Sequence, residues 1–256
     1  MATSDQQIAL VTGSSKGVGR GIALGLGAAG FDVIVNYHHD EAGAVATAEE
    51  LRTLGRQSWT IQADVGDGDQ VCRMFSQIAD EHGRLDVSVN NAGIQTWAPL
   101  LELKLADWER TIRTNLTGCF LCTQQAALLM KPRGKGSIIN IGSGANKAPF
   151  PGLSDYCASK GGIETFTAIS AVELGPLGIR VNCVAPGAIE IERTRKESPD
   201  YAATWSPITP LRRIGQIEDV SDAVLFFSRE NSGFITGQTL YVDGGLWTQS
   251  PWPYKT

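Results

Sequence analysis

Short apolar runs alternate with longer amphipathic stretches along the whole chain. The apolar runs are rich in β-branched residues and end at Gly, Asn or Asp, which is typical of buried strands. Strands, some with the turn that follows, are predicted at residues 7–12, 31–37, 58–63, 85–89, 136–142, 181–189 and 236–245, and helices most clearly at 41–54, 67–82 and 108–130. This end-to-end alternation predicts an α/β fold with a single doubly wound parallel sheet flanked by helices on both faces.

Length and composition narrow the class of protein. A chain of 256 residues with 42% hydrophobic and 19% charged residues is expected to form one domain, residues 1–256, with a substantial core. The net charge of −5 argues against a nucleic-acid interface and favours a small-molecule substrate. No run is long enough to cross a bilayer and the first residues do not resemble a signal peptide, so we expect a cytoplasmic protein with no membrane partner.

Cysteine and histidine provide no candidate metal site. Cys119 and Cys122 have the C-x-x-C spacing of redox and zinc sites, but they lie within a long apolar helical run. Both thiols are therefore predicted to be core residues. The three histidines form no cluster with plausible metal ligands, and no metal is expected.

A glycine-rich turn follows the first predicted strand. Such a turn between a buried strand and a helix lets backbone N–H groups approach a pyrophosphate, and the helix N-terminus favours the anion. The turn has the spacing T-G-x-x-x-G-x-G, so a nucleotide cofactor is predicted here. Its candidate cofactor-binding residues are Gly13, Ser15, Lys16, Gly17, Val18 and Gly19.

The same turn also matches the G-x-S-x-G pattern of a hydrolase nucleophile, through Gly13, Ser15 and Gly17. Hydrolases with this motif place the catalytic histidine late in the chain. No histidine occurs after His82, so the hydrolase alternative is rejected.

Tyr156 and Lys160 stand four residues apart, on the same face of a predicted helix. A nearby ammonium stabilises a phenolate, which makes a tyrosine usable as a general acid or base. On its own this spacing more often belongs to a packing aromatic and a solvated amine. Ser143, however, ends a predicted buried strand upstream and is suited to bond a substrate oxygen opposite Tyr156.

The block formed by Ser143, Tyr156 and Lys160 resembles the active site of the short-chain dehydrogenase/reductase family, and the resemblance extends from about residue 7 to 245. It implies a Rossmann-type fold and hydride transfer between a nicotinamide and a carbon that bears oxygen. It also implies that Asn115 holds a relay water in a locally opened helix, and that the protein is a homotetramer. The further cofactor-binding positions that it implies are Asp64, Val65, Asn91, Ala92, Gly93, Pro186, Gly187 and Ile189, together with Tyr156 and Lys160.

The residues after the second strand predict the cofactor. An acidic residue there would bond the ribose of NAD and repel the 2′-phosphate of NADP. The family's acidic position falls on Tyr37, with His38 next, and Lys16 lies where NADP-preferring relatives often carry a base. These residues favour NADP(H), with NAD(H) as the alternative. Ile191 replaces a threonine that the family uses to bond the carboxamide, and Thr194 is the candidate substitute.

The substrate is predicted only by class. Several stretches are most similar to bacterial glucose 1-dehydrogenases, which implies oxidation of an aldose or another small polyol. The alternative is a 3-oxoacyl-carrier-protein reductase or general ketone reductase, because Gln95, Ala145 and Asn146 are less polar or charged than the sugar contacts expected there. The candidate substrate residues are Gln95, Trp97, Ser143, Tyr156 and Trp205. Trp97 and Trp205 would line an apolar pocket or stack on a sugar, unless they belong to the core or an interface.

Two further segments have predicted roles. Residues 190–210 are expected to form a variable lid over the substrate. The aromatic segment 246–256 is expected to pack at a subunit interface or to reach a neighbouring active site. A nucleotide-sensing regulator on the same fold is the non-enzyme alternative, and the complete set of Asn115, Ser143, Tyr156 and Lys160 argues against it.

Overall fold

A computed structural model describes residues 6–248 of the chain. Seven strands form one sheet in the order β3-β2-β1-β4-β5-β6-β7, and every neighbouring pair is parallel. The strands are β1 (Ile8–Val11), β2 (Asp32–Tyr37), β3 (Ser58–Gln62), β4 (Val87–Asn90), β5 (Gly136–Ile141), β6 (Ile179–Pro186) and β7 (Thr239–Val242). The predicted doubly wound parallel sheet is confirmed.

The strand order reverses between β1 and β4, and ligands of such sheets bind at the carboxyl edge beside this switch point. Helices connect the strands, and the longer ones cover both faces of the sheet. They are α1 (Gly17–Ala28), α2 (Glu41–Thr53), α3 (Gly68–His82), α4 (Leu105–Ile112), α5 (Gly118–Met130), α6 (Ser154–Leu174), α7 (Glu192–Glu197), α8 (Tyr201–Trp205) and α9 (Ile217–Ser228). None of the helices within residues 6–248 has both the length and the apolarity that a membrane crossing requires.

Two hydrophobic cores lie on opposite faces of the sheet, because successive strand side chains point to opposite sides. Val11 and its neighbours in the sheet pack against α1, α2 and α9. Leu10 and its neighbours pack against α3, α5 and α6. Strands buried on both faces explain why the sequence shows continuous apolar runs instead of alternation.

The helix predicted at residues 108–130 consists of three segments. α4 begins earlier, at Leu105, and α5 ends at Met130 as predicted. Between them, Arg113–Thr117 forms a turn of π-helix. This wide turn inserts an extra residue into the helical ladder, which is the local opening that the family resemblance implied around Asn115.

Candidate active site

The glycine-rich turn after β1 is packed so closely that two of its glycines, Gly13 and Gly19, have no room for side chains. A Cβ added to Gly13 would lie 2.9 Å from Cα of Ala92, and one added to Gly19 would lie 2.4 Å from both the Gly13 carbonyl oxygen and Nδ2 of Asn91. Gly17, at φ +58°, faces open space instead, with nothing within 4 Å of an added Cβ. The turn therefore fits a dinucleotide, which needs a close backbone approach at the start of a helix.

Two polar residues that sequence reasoning missed hold this turn in place. The Thr12 hydroxyl accepts hydrogen bonds from the backbone N–H groups of Asn91 (3.0 Å) and Ala92 (3.1 Å). Oδ1 of Asn36, a fully buried residue of β2, accepts from the Gly13 N–H at 3.1 Å. The signal that could have identified them is a polar residue within a predicted apolar strand. Such a residue is expected to be buried, and buried polar groups are almost always hydrogen-bonded.

The two basic residues predicted to select the cofactor, Lys16 and His38, lie beside carboxylates. Nζ of Lys16 is 3.8 Å from Asp40, and Nε2 of His38 is 4.0 Å from Asp64. The side chain of Lys16 remains 77% exposed, so its ammonium has room for a further partner. The pKa of Glu192, at the start of α7, is lowered mainly by a hydrogen bond from Lys196 and also by the charge of Lys16.

The remaining predicted cofactor residues occupy the same edge of the sheet. Ser15 and Val65 are buried, and Val18 is partly buried against the first core. Gly93 approaches Asn115, because an added Cβ would lie 3.3 Å from Oδ1 of that residue. Tyr37 differs from the expectation of a ribose-facing residue, since its ring is 8% exposed and packs in the hydrophobic core.

The segment after β6 leads into the predicted lid. Pro186 ends the strand, the Gly187 N–H donates to the Val242 carbonyl at 2.9 Å, and Ile189 is buried. The hydroxyl of Thr194 accepts from the Ile191 N–H at 2.9 Å and caps the start of α7. The Thr194 hydroxyl is therefore bonded to the backbone of its own segment. The structure does not support Thr194 as the substitute for the threonine that the family uses to bond the carboxamide.

Ser143, Tyr156 and Lys160 converge at the carboxyl end of β5. Lys160 is 4% exposed, and its Nζ donates to the Ile141 carbonyl at 2.6 Å and lies 5.6 Å from the centre of the Tyr156 ring. Ser143 follows two residues after Ile141 and is buried. The ammonium thus links the strand that carries the serine to the helix that carries the tyrosine.

A buried carboxylate that sequence reasoning missed fixes the start of α6. Asp155 is fully buried, and its Oδ1 accepts from the Tyr156 N–H at 2.7 Å. Its Oδ2 accepts from the Thr111 hydroxyl at 2.6 Å. These bonds tie the first turn of α6 to α4 and fix the backbone from which Tyr156 projects.

Asn115 occupies the π-helical turn with its side-chain amide fully bonded. Oδ1 accepts from the Ile94 N–H at 2.8 Å, and Nδ2 donates to the Ile94 carbonyl at 2.9 Å and to the Ser159 hydroxyl at 3.0 Å. Ser159 in turn donates to the Tyr156 carbonyl at 2.7 Å. Asn115 therefore connects the loop after β4 to α6, the helix that carries Tyr156.

Aromatic rings form a wall beside Ser143, which we call the aromatic wall (Phe150, Trp205 and Trp247). Ring centres are 5.6 Å apart for Phe150 and Trp205, 5.7 Å for Phe150 and Trp247, and 6.4 Å for the two tryptophans. Trp247 lies over Gly144, where an added Cβ would be 1.8 Å from Nε1 of the indole. Trp205 comes from the predicted lid, which consists of α7, α8 and a short 3₁₀ turn.

The other predicted substrate residues have different surroundings. Oε1 of Gln95 accepts from the Arg193 guanidinium at 3.4 Å, so it faces the lid. Trp97 is 61% exposed and has no ring contact in the described part of the chain. The aromatic segment 246–256 was expected at a subunit interface or in a neighbouring site. Its first residues, Leu246 and Trp247, contact their own chain, and residues 249–256 lie outside the described residues.

The cysteine prediction is confirmed. Cys119 and Cys122 are 5% and 1% exposed and carry free thiols. Burial raises the pKa of Cys119 to about 12 and also raises that of Cys122, so both remain protonated core residues. Within residues 6–248, no group of three or more His, Cys, Asp or Glu side chains is arranged to hold a metal ion.

Comparison with known proteins finds full-length relatives. The family model described as "Enoyl-(Acyl carrier protein) reductase" matches residues 13–247. The 3-oxoacyl-[acyl-carrier-protein] reductase FabG of Staphylococcus aureus is 41% identical over 239 residues, which cover 93% of this chain and 97% of the relative.

Solved structures of similar proteins superpose on almost the whole chain. A putative gluconate dehydrogenase from Agrobacterium tumefaciens superposes with a TM-score of 0.91 at 36% identity, covering 95% of this chain and 97% of that one. A gluconate 5-dehydrogenase from Burkholderia cenocepacia, in complex with NADP and tartrate, superposes with a TM-score of 0.90 at 35% identity, covering 96% and 97%.

Proposed function

Because the chain belongs to the short-chain dehydrogenase/reductase family, we propose that it is an NADP(H)-dependent carbonyl reductase that also oxidises the corresponding secondary alcohol. Membership of the family makes the protein a NAD(P)-dependent oxidoreductase acting on CH–OH and carbonyl groups. The substrate class, the preference for NADP(H) and the assembly are the proposed parts.

The proposed substrate class is based on the aromatic wall. The rings of Phe150, Trp205 and Trp247 pack against one another next to Gly144, the residue that follows Ser143, and form a mainly apolar cluster there. Burying apolar area contributes roughly 25 cal/mol per Å², so this wall favours a ketone with an apolar substituent. Asn146, at a position expected to contact a sugar, bonds instead to Glu164 and Tyr241. These contacts support the reductase alternative over glucose 1-dehydrogenase-like oxidation, which the named relatives do not support either.

The chemistry follows from the positions of four side chains. Tyr156 donates a proton to the carbonyl oxygen during reduction and removes it from the alcohol during oxidation. Ser143 bonds the same oxygen, and the ammonium of Lys160 is held 5.6 Å from the centre of the Tyr156 ring. Asn115 holds the opened helix through which a water relays the proton. The cofactor supplies the hydride chemistry when bound, held by the glycine-rich turn and by Asn91.

Initial rates with a panel of substrates test this proposal. We expect reduction of aryl and alkyl ketones and β-keto esters with NADPH, and slower oxidation of the matching alcohols with NADP⁺. Glucose and other aldoses with NADP⁺ or NAD⁺ serve as the comparison. Turnover of an aldose at a higher kcat/KM than any ketone or secondary alcohol would overturn the reductase and restore the glucose-dehydrogenase alternative.

Lys16→Ala is expected to raise the KM for NADP⁺ about tenfold and to leave the KM for NAD⁺ within about twofold. The lost contact is a charge-assisted hydrogen bond to the 2′-phosphate, worth roughly 1.5–3 kcal/mol. The measurement is kcat/KM for both cofactors. Lys135→Ala is the control, because Lys135 pairs with Glu230 before β5, at the opposite edge of the sheet. Unchanged NADP⁺ kinetics in Lys16→Ala would remove this residue from cofactor selection.

A homotetramer is the proposed assembly, and an exposed apolar stripe on α5 and α6 supports it. Phe120, Leu128, Ile169 and Val172 are 43%, 58%, 49% and 71% exposed. A groove of about 280 Å³ separates the two helices and includes Phe166 and Leu174 in its lining. A surface of this kind favours burial against a second copy of the chain.

Combining Leu128→Asp with Val172→Asp is expected to convert the tetramer into smaller species, as measured by light scattering. A buried charge at an interface without a partner is strongly unfavourable. Leu101→Asp is the matched control, since Leu101 is 98% exposed in the loop before α4. A monomeric parent protein would refute the proposed assembly.

A further inference from the structure

A polar cluster behind Ser143 joins three elements of the fold, and we call it the Glu164 cluster (Asn146, Lys147, Glu164 and Tyr241). The Tyr241 hydroxyl is 3.1 Å from each carboxylate oxygen of Glu164. Nδ2 of Asn146 donates to the same carboxylate and lies 3.3 Å from the Tyr241 hydroxyl. Nζ of Lys147 lies 4.3 Å from the centre of the Tyr241 ring, a cation–π contact.

The distances indicate that the protonated Tyr241 hydroxyl donates to the Glu164 carboxylate. Burial raises the pKa of Tyr241 to about 12, so its phenol stays neutral and donates to the Glu164 carboxylate. A carboxylate that accepts from a phenol and an amide at once forms two charge-assisted bonds. The cluster therefore resists separation of β7, α6 and the loop after β5.

The loop between Ser143 and Lys147 is short and internally bonded. The Ser143 hydroxyl accepts from the Ala145 N–H at 3.1 Å, and the Lys147 N–H donates to the Gly144 carbonyl at 3.0 Å. This 3₁₀ turn makes the backbone from Ser143 to Asn146 one rigid unit. A contact that fixes the position of Asn146 therefore also fixes the position of Ser143.

Glu164 lies one helical turn after Lys160, on the helix that also carries Tyr156. The contacts of Glu164 thus join the catalytic helix to the loop that carries the catalytic serine. We propose that Glu164 is a positioning residue, which sets the location of Ser143 relative to Tyr156 by binding Asn146. This inference rests on the proposed function, since it takes Ser143 to bind the substrate oxygen.

The size of the effect follows from how strongly catalysis depends on geometry. A displacement of a catalytic group by about 1 Å can cost roughly 10²-fold in rate. We expect Glu164→Ala to lower kcat at least tenfold and to leave the Kd for NADPH within twofold. Glu164→Gln retains an acceptor for Asn146 and is expected to keep at least a third of the parental kcat. Tyr241→Phe is expected to fall between the two.

A double-mutant cycle with Ser143→Ala separates positioning from stability. If Glu164 acts through Ser143, Glu164→Ala changes kcat less than twofold once Ser143→Ala is present. The control is Glu49→Gln, an exposed residue of α2, which should retain the parental kcat in both backgrounds. Tm and the Kd for NADPH are measured for every variant, so that activity is compared among folded, cofactor-binding proteins. If Glu164→Ala does not fold, the same cycle is run with Tyr241→Phe.

The outcomes separate the inference from the proposed function. If Glu164→Ala lowers kcat by the same factor in the parent protein and in the Ser143→Ala background, the positioning role is overturned. It is also overturned if Glu164→Ala lowers the Tm and keeps the parental kcat. If Ser143→Ala is impaired and Glu164→Ala is not, only the inference fails. If Ser143→Ala itself matches the parent, the assignment of Ser143 in the proposed function fails and the inference fails with it.

Discussion

Tyr156→Phe is expected to lower kcat by about 10²–10⁴-fold, the contribution typical of a general acid or base. The substitution removes one hydroxyl and leaves the ring, so the contacts that hold the residue persist. Asp155 still accepts from the backbone N–H of residue 156, and Lys160 still bonds the Ile141 carbonyl. The loss should therefore appear in the chemical step and not in folding.

The measurement is kcat in both directions with the best ketone and its alcohol, together with Tm and the Kd for NADPH. Both of the latter should match the parent protein. Thr165→Val removes another hydroxyl from the same helix, one that is exposed and bonds only weakly, at 3.4 Å, to Gly161. This control should retain full activity. A Tyr156→Phe protein as active as its parent would overturn the catalytic assignment.

Gly19→Ala is expected to weaken NADPH binding by at least about tenfold and to lower Tm by several degrees. The added Cβ would lie 2.4 Å from the Gly13 carbonyl oxygen and from Nδ2 of Asn91. Neither atom can move aside easily, because the first belongs to the backbone and Nδ2 of Asn91 is bonded to the Thr12 carbonyl at 2.9 Å. The glycine-rich turn must therefore move away from Asn91, at a cost of roughly 1–3 kcal/mol for overpacking.

Fluorescence titration with NADPH and a thermal melt measure the two effects. Gly175→Ala is the control, since an added Cβ there meets no atom within 4 Å. It should change neither the Kd nor, beyond about a degree, the Tm. Parental affinity for NADPH in Gly19→Ala would mean that the close packing of the turn is not needed for the cofactor.

The sequence predicts the sheet well because the strands are short, mainly apolar or β-branched runs between turn residues. Residues 58–63 and 136–142, for example, contain β3 and β5 with one residue or less of difference at either end. The glycine-rich turn and the pair Tyr156 and Lys160 were also predictable, since each depends on spacing within a single element.

What sequence could not predict are the contacts between distant residues. Asn36, Asp155, Glu164 and Trp247 all shape the candidate site, and each acts through a partner from another element. Such contacts depend on side-chain reach across the folded sheet, which no local pattern records. Tyr37 illustrates the same limit, because its position at the end of β2 was predictable and its burial was not.

The π-helical turn at Arg113–Thr117 ties the site to the number of residues in the helix. Each residue of an α-helix rotates the next by about 100° around the axis. A chain shortened by one residue in this turn would rotate α5 by that angle, carrying Cys122, Ala126 and Met130 out of the second core. We therefore expect an insertion or deletion in this turn to disrupt the second core, whereas substitutions that keep the number of residues leave the orientation of α5 unchanged.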